Sequence, residues 1–348
     1  MPTPKTICHI VCYRDPDYVR GEVIARALRT QQNYHIVELK NKYKGPLRYF
    51  EILLKLIALR FRKNPDVYFL GFRGHEIALF VRLITFGKKM LFDSLVSPTL
   101  SLRFESPSPL KSLISKMTFF FEYLILHWSD VIIVDTEIHR KRISDFFNIS
   151  LKKFHGVYVG AKVPNSHLVP LANDTRFNVL FFGSFLPLHG GDIIFEVAEE
   201  LKALPIYFTL VGKCKFKPTS KNISVIDWLE YSALTTLIEK SSLCLGGPFG
   251  NTPQSQSVIT GKTFQFLAFA KATIIGKIEE DVGFKDKTNC LYIDQGCKAS
   301  LKQAILWAYN NRSALGEIGN QGRDLYNSSF SDRAIASQFQ RAMASECK

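Results

Sequence analysis

Residues 243 to 276, LCLGGPFGNTPQSQSVITGKTFQFLAFAKATIIG, read as a buried strand, a glycine-rich and then polar loop, a helix with Lys262 in its first turn, and another buried strand. A loop opening into a helix start offers unpaired backbone N–H groups, and a lysine beside them adds a cation. That combination is suited to a nucleotide diphosphate. It equally fits an ordinary strand-loop-helix whose glycines only make turns, and spacing alone does not separate the two. A second segment, NVLFFGSFLPLHGGDIIFEVAEEL at 178 to 201, runs from a strand through Gly183 and Ser184 to His189 and Gly190 at a helix start. His189 could hold phosphate as imidazolium or through its ring N–H, whereas a lone loop histidine is more often a capping or surface residue. In TLVGKCKFKP, 209 to 218, Lys213 follows a strand-ending glycine, where an isolated lysine is usually a solvated turn residue.

The first half carries fewer polar candidates. CYRDPDYVRGEVIARALR, 12 to 29, places Arg14, Asp15, Tyr18 and Arg20 where a strand turns into a helix; Asp15 or Asp17 also suits a helix cap, with the arginines as surface charge. GFRGHE, 71 to 76, puts His75 at a helix start beyond the third strand, and MLFDSLVSP, 90 to 98, delivers Asp93 from the next. Both lie at the carboxyl edge of the sheet, where open α/β sheets bind ligands. A histidine at a helix start is also commonly a cap. Asp135 and Thr136 precede a helix and read as its cap.

The elements that would position these residues alternate between β-rich runs and helical stretches. Strands are expected near 5–13, 34–39, 66–71, 88–93, 130–135 and 155–160, then 178–184, 206–212, 222–227, 243–247, 272–276 and 290–294. The intervals are long enough for crossover helices, which implies parallel, doubly wound sheets. Helices are expected at about 190–203, 231–240, 258–270, 297–311 and 331–345. At 348 residues the chain has the length of two domains. The expected division is a first domain at 1–165, a linker at 166–176 inside the proline-containing stretch VPNSHLVPLANDTRF, a second domain at 177–330, and a last helix at 331–348.

With 46% hydrophobic and 22% charged residues, the chain can fill two cores. Seven scattered cysteines include no Cys-x-x-Cys pair, so they read as reduced thiols, neither zinc ligands nor a redox centre. No metal site is expected. Residues 1–13 lack the pattern of a secretory signal, and a cytoplasmic location is the expectation. A net charge of +14 favours an anionic partner: nucleotide, acidic membrane face or nucleic acid. The absence of zinc-finger spacing and of an RNP-like aromatic string argues against nucleic acid. Two apolar stretches bear on the membrane. In 47–63, Arg48, Glu51, Lys55 and Arg62 gather near one helical face opposite a broad apolar arc; 110–128 carries Lys111, Lys116 and Glu122, each costly at mid-membrane. Neither should span. A sheet-covering helix with a wet stripe and docking in the plane of an anionic membrane both remain open for 47–63.

These segments together resemble family-4-type glycosyltransferases of the GT-B fold. The similarity runs nearly the whole chain in order and is most specific at 178–190 and 243–276, where Phe249-Gly250, Gly261-Lys262-Thr263-Phe264-Gln265, Leu267-Ala268 and Lys271 to Ile275 match the donor-site loop, helix and strand. The resemblance implies two facing Rossmann-like domains, each with a parallel sheet, and a C-terminal helix crossing back to the first. It further implies retaining transfer of a sugar from a nucleotide sugar, UDP- or GDP-linked; the basic charge and the amphipathic 47–63 segment point to a glycan or lipid-linked acceptor, in cell-envelope polysaccharide or glycolipid synthesis. Donor contacts would come from Gly183, Ser184, His189, Gly190, Lys213, Phe249, Gly250, Lys262, Thr263 and Gln265, with Lys262 on the phosphates and Gln265 on the ribose. Arg14, Tyr18 and Arg20 would face the acceptor, and His75 and Asp93 would stand by its hydroxyl. The sequence departs from the pattern where many members carry two glutamates: Ser257 and Gln265 stand there, and Ser257 supplies no carboxylate. No cofactor is implied beyond the donor. The departures keep a lapsed, binding-only protein in view as an alternative, and a sugar-nucleotide epimerase is the other; the latter needs carboxylates near the sugar.

Overall fold

The computed structural model describes residues 4–31, 33–104, 109–163 and 176–345. The expected linker, 166–176, lies outside them except for Arg176. Two compact units emerge: one runs to Gly160 and resumes at Asp332, and the other spans Ala161–Ser331.

The first unit contains β1 (Lys5–Val11), α1 (Val19–Arg29), β2 (Tyr34–Lys40), α2 (Leu47–Arg62), β3 (Val67–Leu70), α3 (Ala78–Ile84), β4 (Lys89–Asp93), α4 (Pro98–Phe104), α5 (Pro109–Trp128), β5 (Val131–Val134), α6 (Glu137–Phe147) and β6 (Phe154–Gly156). The strands form one parallel sheet in the order β2-β1-β3-β4-β5-β6. Strands β3 and β5 are buried at every residue, as expected of short apolar runs covered on both faces of a parallel sheet. Thr136 caps α6, its hydroxyl accepting from His139 N at 3.1 Å, and Asp135 instead accepts from the His139 ring at 2.6 Å.

The second unit contains β7 (Phe177–Phe182), α7 (Gly191–Glu200), β8 (Ile206–Val211), β9 (Ile223–Ile226), α8 (Tyr231–Lys240), β10 (Leu243–Leu245), α9 (Gly261–Ala268), β11 (Thr273–Gly276), β12 (Leu291–Ile293), α10 (Lys298–Asn310) and α11 (Arg312–Ser329). Its sheet is again parallel, in the order β12-β11-β10-β7-β8-β9. The last helix, α12 (Asp332–Ala344), belongs to the first unit. Ile335, Phe339 and Ala342 enter the core beside α1, with the Phe339 ring edge-on to Phe69 at 5.2 Å. Burying an Ile or Phe side chain there stabilises by roughly 1.5 to 3 kcal/mol. Asp332 pairs with Arg26 at 2.8 Å at the start of the helix.

Two elements differ from expectation. Helix α11 is not legible in the sequence. It carries three glycines, and a Cβ built on Gly319 would lie 2.1 Å from Ala270 O. The helix rests flush on the turn after α9, and that close packing overrides a poor intrinsic propensity. In α2 the charged residues do not form an outward wet stripe. Glu51 accepts from Lys42 N and Tyr43 N, both at 2.9 Å, and Lys55 Nζ donates to Lys40 O at 2.9 Å, so both tie the helix flank to the preceding loop.

Candidate anion-binding site

In the second sheet the crossovers leave β7 and β10, adjacent strands, in opposite directions along the sheet. The crevice outside their carboxyl ends is the topological switch point where such sheets bind ligands. The loops leaving β7, β8 and β10 meet there by backbone contact. A Cβ on Gly212 would stand 2.0 Å from Gly183 O, and one on Gly250 would stand 1.9 Å from Pro187 O. Neither position admits a side chain. Gly250 N donates to Leu188 O at 3.2 Å, joining the second pair of loops.

Lys262 enters this crevice from the first turn of α9. It is only 6% exposed. Its Nζ lies 3.0 Å from His189 Nδ1 and 5.0 Å from the centre of the Phe181 ring, and the position of a Gly183 Cβ would be 3.6 Å away. Among the described residues no carboxylate pairs with it. Burial holds its pKa at about 7 against an ordinary 10.5. Desolvation, and then the Lys262 charge, press the His189 ring down to about 2, so it is neutral and accepts from Lys262 through Nδ1, leaving its proton on Nε2. Of the two ways His189 could hold phosphate, its neutral ring leaves the N–H and not the imidazolium.

The remaining donor-side candidates divide. Gly183 and Gly190 form the loop beside Lys262, both at positive φ, and Ser184 and Lys213 are exposed at the rim of the β7 and β8 loops. Phe249, Thr263 and Gln265 are engaged internally, contrary to expectation. The Phe249 ring is fully buried in the core of the unit. The Thr263 hydroxyl lies 3.1 Å from Thr260 Oγ1, which itself donates to Gly246 O at 2.5 Å. Gln265, 4% exposed, donates from Nε2 to Lys162 O at 2.7 Å and Tyr231 OH at 3.1 Å, while its Oε1 accepts from Lys162 N at 3.2 Å. Its amide anchors the chain entering the unit and is not aimed at a ribose. We expect Gln265→Ala to cost about 1 to 3 kcal/mol, since it removes two hydrogen bonds to the half-buried Lys162 backbone and leaves Lys162 O its bond from Tyr231 OH. Urea unfolding measures this, and an unchanged midpoint would remove the anchoring role.

In the first unit the switch point falls between β1 and β3. Tyr18, 37% exposed, stacks on Phe72 at 4.9 Å and meets Tyr13 edge-on at 5.7 Å, with exposed Arg14 beside Tyr13 at 5.8 Å. Arg20 and Asp93 are not available to an acceptor. They form a forked pair at 3.0 and 3.1 Å, exposed 0% and 1%, and Arg20 also donates to Val157 O and Tyr158 O. His75 lies in a short 3₁₀ turn with both ring nitrogens shut from solvent and unbonded among the described residues. Its ring packs edge-on to Phe92 at 4.8 Å, and burial presses its pKa to about 3, so it is neutral and withdrawn as well. No group of three or more metal-ligating side chains occurs among the described residues.

Sequence reasoning overlooked Phe181 and Thr260. Phe181 is one of a strand's buried aromatics, and only the sheet puts it beneath Lys262. Thr260, two residues before that lysine, carried a weak signal as a helix-start hydroxyl, yet it bonds the β10 loop and leaves the first amides of α9 without a side-chain cap.

No protein-family model and no curated protein matches the chain. Solved structures match it across both units. HepE of Anabaena, solved with UDP and glucose, gives a TM-score of 0.69 at 11% identity over 98% of this chain and 100% of its own. Sucrose-phosphate synthase of Thermosynechococcus elongatus gives 0.70 at 14%, over 97% and 98%. A glycosyltransferase of Rickettsia africae gives 0.63 at 12%, over 99% and 100%. At such identities the likeness concerns fold, and the fold is GT-B.

Proposed function

We propose that the protein is a glycosyltransferase whose second unit holds a nucleotide sugar by its diphosphate. The observation carrying this is Lys262: a buried ammonium at a sheet switch point, facing glycine loops, with a neutral histidine for a partner and no carboxylate among the described residues. An unpaired buried cation is costly, and an anion relieves the cost. The diphosphate would sit against Lys262 Nζ and the first amides of α9, beside the glycine loops at Gly183 and Gly190. As the bond from sugar to phosphate breaks, negative charge grows on the departing diphosphate, and these donors are already fixed in place. Support for the sugar comes from the fold, shared with HepE, solved with UDP and glucose, and with sucrose-phosphate synthase. UDP is therefore the first nucleotide to test. Retention of configuration, with a lipid-linked or cell-envelope glycan as acceptor, is the finer reading we adopt, with Tyr18 and Arg14 as the acceptor-side contacts.

A thermal-shift panel of UDP- and GDP-sugars is expected to yield one strong stabiliser, since ligand at a hundred times its Kd adds about 2.7 kcal/mol to the folded state. Its affinity should be pH-dependent. The anion binds the protonated lysine, so affinity is full below pH 7 and falls roughly tenfold per unit above it, until the pKa of the bound form is passed. A panel without a shift, or an affinity flat from pH 6.5 to 9, would remove the proposal.

A further inference from the structure

Helices α2, α3 and α5 cover one face of the first sheet, with α3 packed against both neighbours. Sheet-covering helices normally turn polar residues outward. These turn apolar ones. On α2 the inward residues are Ile52 and Leu56, while Leu47, Phe50, Leu54 and Phe61 recur at helical spacing on the exposed side, Phe61 at 85% exposure. On α3 and just beyond it, Phe80, Leu83 and Phe86 do the same, and on α5 so do Leu113, Met117, Phe120 and Phe121. A 16-residue helix is about 24 Å long, and three side by side span about 25 Å. The apolar area is then beyond the few hundred Å² that a monomer ordinarily leaves in one patch.

Charge identifies what covers this face. The acids on these helices, Glu51 and Glu122, are both turned inward, with side chains 9% exposed and buried respectively, and α3 has none. The exposed charges flanking these helices are mostly basic, Lys42, Lys44, Arg62, Lys63 and Lys116, none of them ion-paired among the described residues, against the two acids Asp66 and Glu76. A second copy of the chain would set these cations against their own kind. A bilayer with anionic headgroups satisfies both the apolar centre and the basic rim. No helix of the described residues is long and apolar enough to cross a membrane, so the face would lie in the interface plane.

We infer that the outward face of α2, α3 and α5 docks the protein on an anionic membrane surface. This deepens the lipid-linked-acceptor reading and rests on it for its purpose, though not for the binding itself. The test is co-flotation of the full chain with vesicles of phosphatidylcholine containing 30 mol% phosphatidylglycerol (~30%, a common anionic fraction). Binding is expected to exceed that to pure phosphatidylcholine at least tenfold (~10×) and to weaken in high salt. The triple variant Phe50→Ser, Leu83→Ser, Phe120→Ser changes only exposed side chains and should lose roughly tenfold or more of that binding while keeping its melting temperature. Lys262→Met should bind vesicles normally, so failure of the donor reading and failure of the docking reading are told apart. Absence of vesicle binding at low salt overturns the inference. So does a dimer in sedimentation that the triple variant dissociates, which would give the face to a second copy.

Discussion

Lys262→Met is expected to lower kcat/KM for sugar transfer by roughly 10²- to 10³-fold and, in the same protein, to raise the melting temperature of the ligand-free form. Both effects follow from one desolvated ammonium. For turnover, a fixed donor facing developing phosphate charge typically contributes about 3 to 4 kcal/mol to transition-state stabilisation. For stability, the sign is opposite to that of an ordinary paired lysine. The folded pKa of about 7 lies below the unfolded value, so between pH 7 and roughly 10.4 the unfolded chain holds a proton that the folded one lacks. Stability rises with pH through that window. Below pH 7 both states are charged and the whole penalty, roughly 3 to 5 kcal/mol, is present. Methionine removes the charge and keeps the volume, so the stabilisation should be largest at pH 7 and below and fade toward pH 10. Calorimetry of both proteins across that range checks it. A variant less stable at pH 7 would mean the lysine is satisfied by the fold and is not held ready for an anion.

The second large effect concerns Asp93. Asp93→Ala should destabilise the first unit by about 3 to 5 kcal/mol, because it leaves the Arg20 guanidinium fully buried beside two carbonyls with its counter-charge gone. Loss of turnover would accompany this and could be mistaken for loss of a catalytic carboxylate. The double variant Arg20→Met, Asp93→Leu separates the two meanings. Replacing a buried pair by apolar residues of similar volume is commonly near neutral, so stability should return to within about 1 to 2 kcal/mol of the parent. If the pair is architectural, turnover returns with it. A double variant that is stable and well folded yet inactive would restore Asp93 to the chemistry.

These two residues mark how far reading along the chain reaches. Lys262 was legible as a candidate because its signal is local: a buried strand, glycines, a polar loop and a helix start lie within twenty residues, a pattern that suits an anion as well as an ordinary turn. Asp93 was legible as a residue at the carboxyl edge of a strand, and so was Arg20 beyond β1. Their mutual contact spans 73 positions and depends on β4 and α1 arriving side by side. Gln265 shows the same limit. Its place on α9 suggested a ligand, and its partner at Lys162, 103 positions earlier, takes the amide instead. Helix α2 shows it again, since periodicity found an apolar arc and a charged arc but could not say which arc the sheet would claim.

Alternation of buried strands with crossover-length helical stretches, and the glycine loops that end particular strands, belong to the sequence itself, because backbone geometry and solvent exclusion act on neighbours along the chain. That much determined two parallel α/β units and a lysine beside glycines. Which polar groups are consumed inside and which stay open to a ligand was decided only when distant strands and helices packed. Burial and hydrogen-bond pairing are properties of what lies across space, and they turned Arg20, Asp93, Thr263 and Gln265 into architecture while leaving Lys262 without a counter-ion among the described residues.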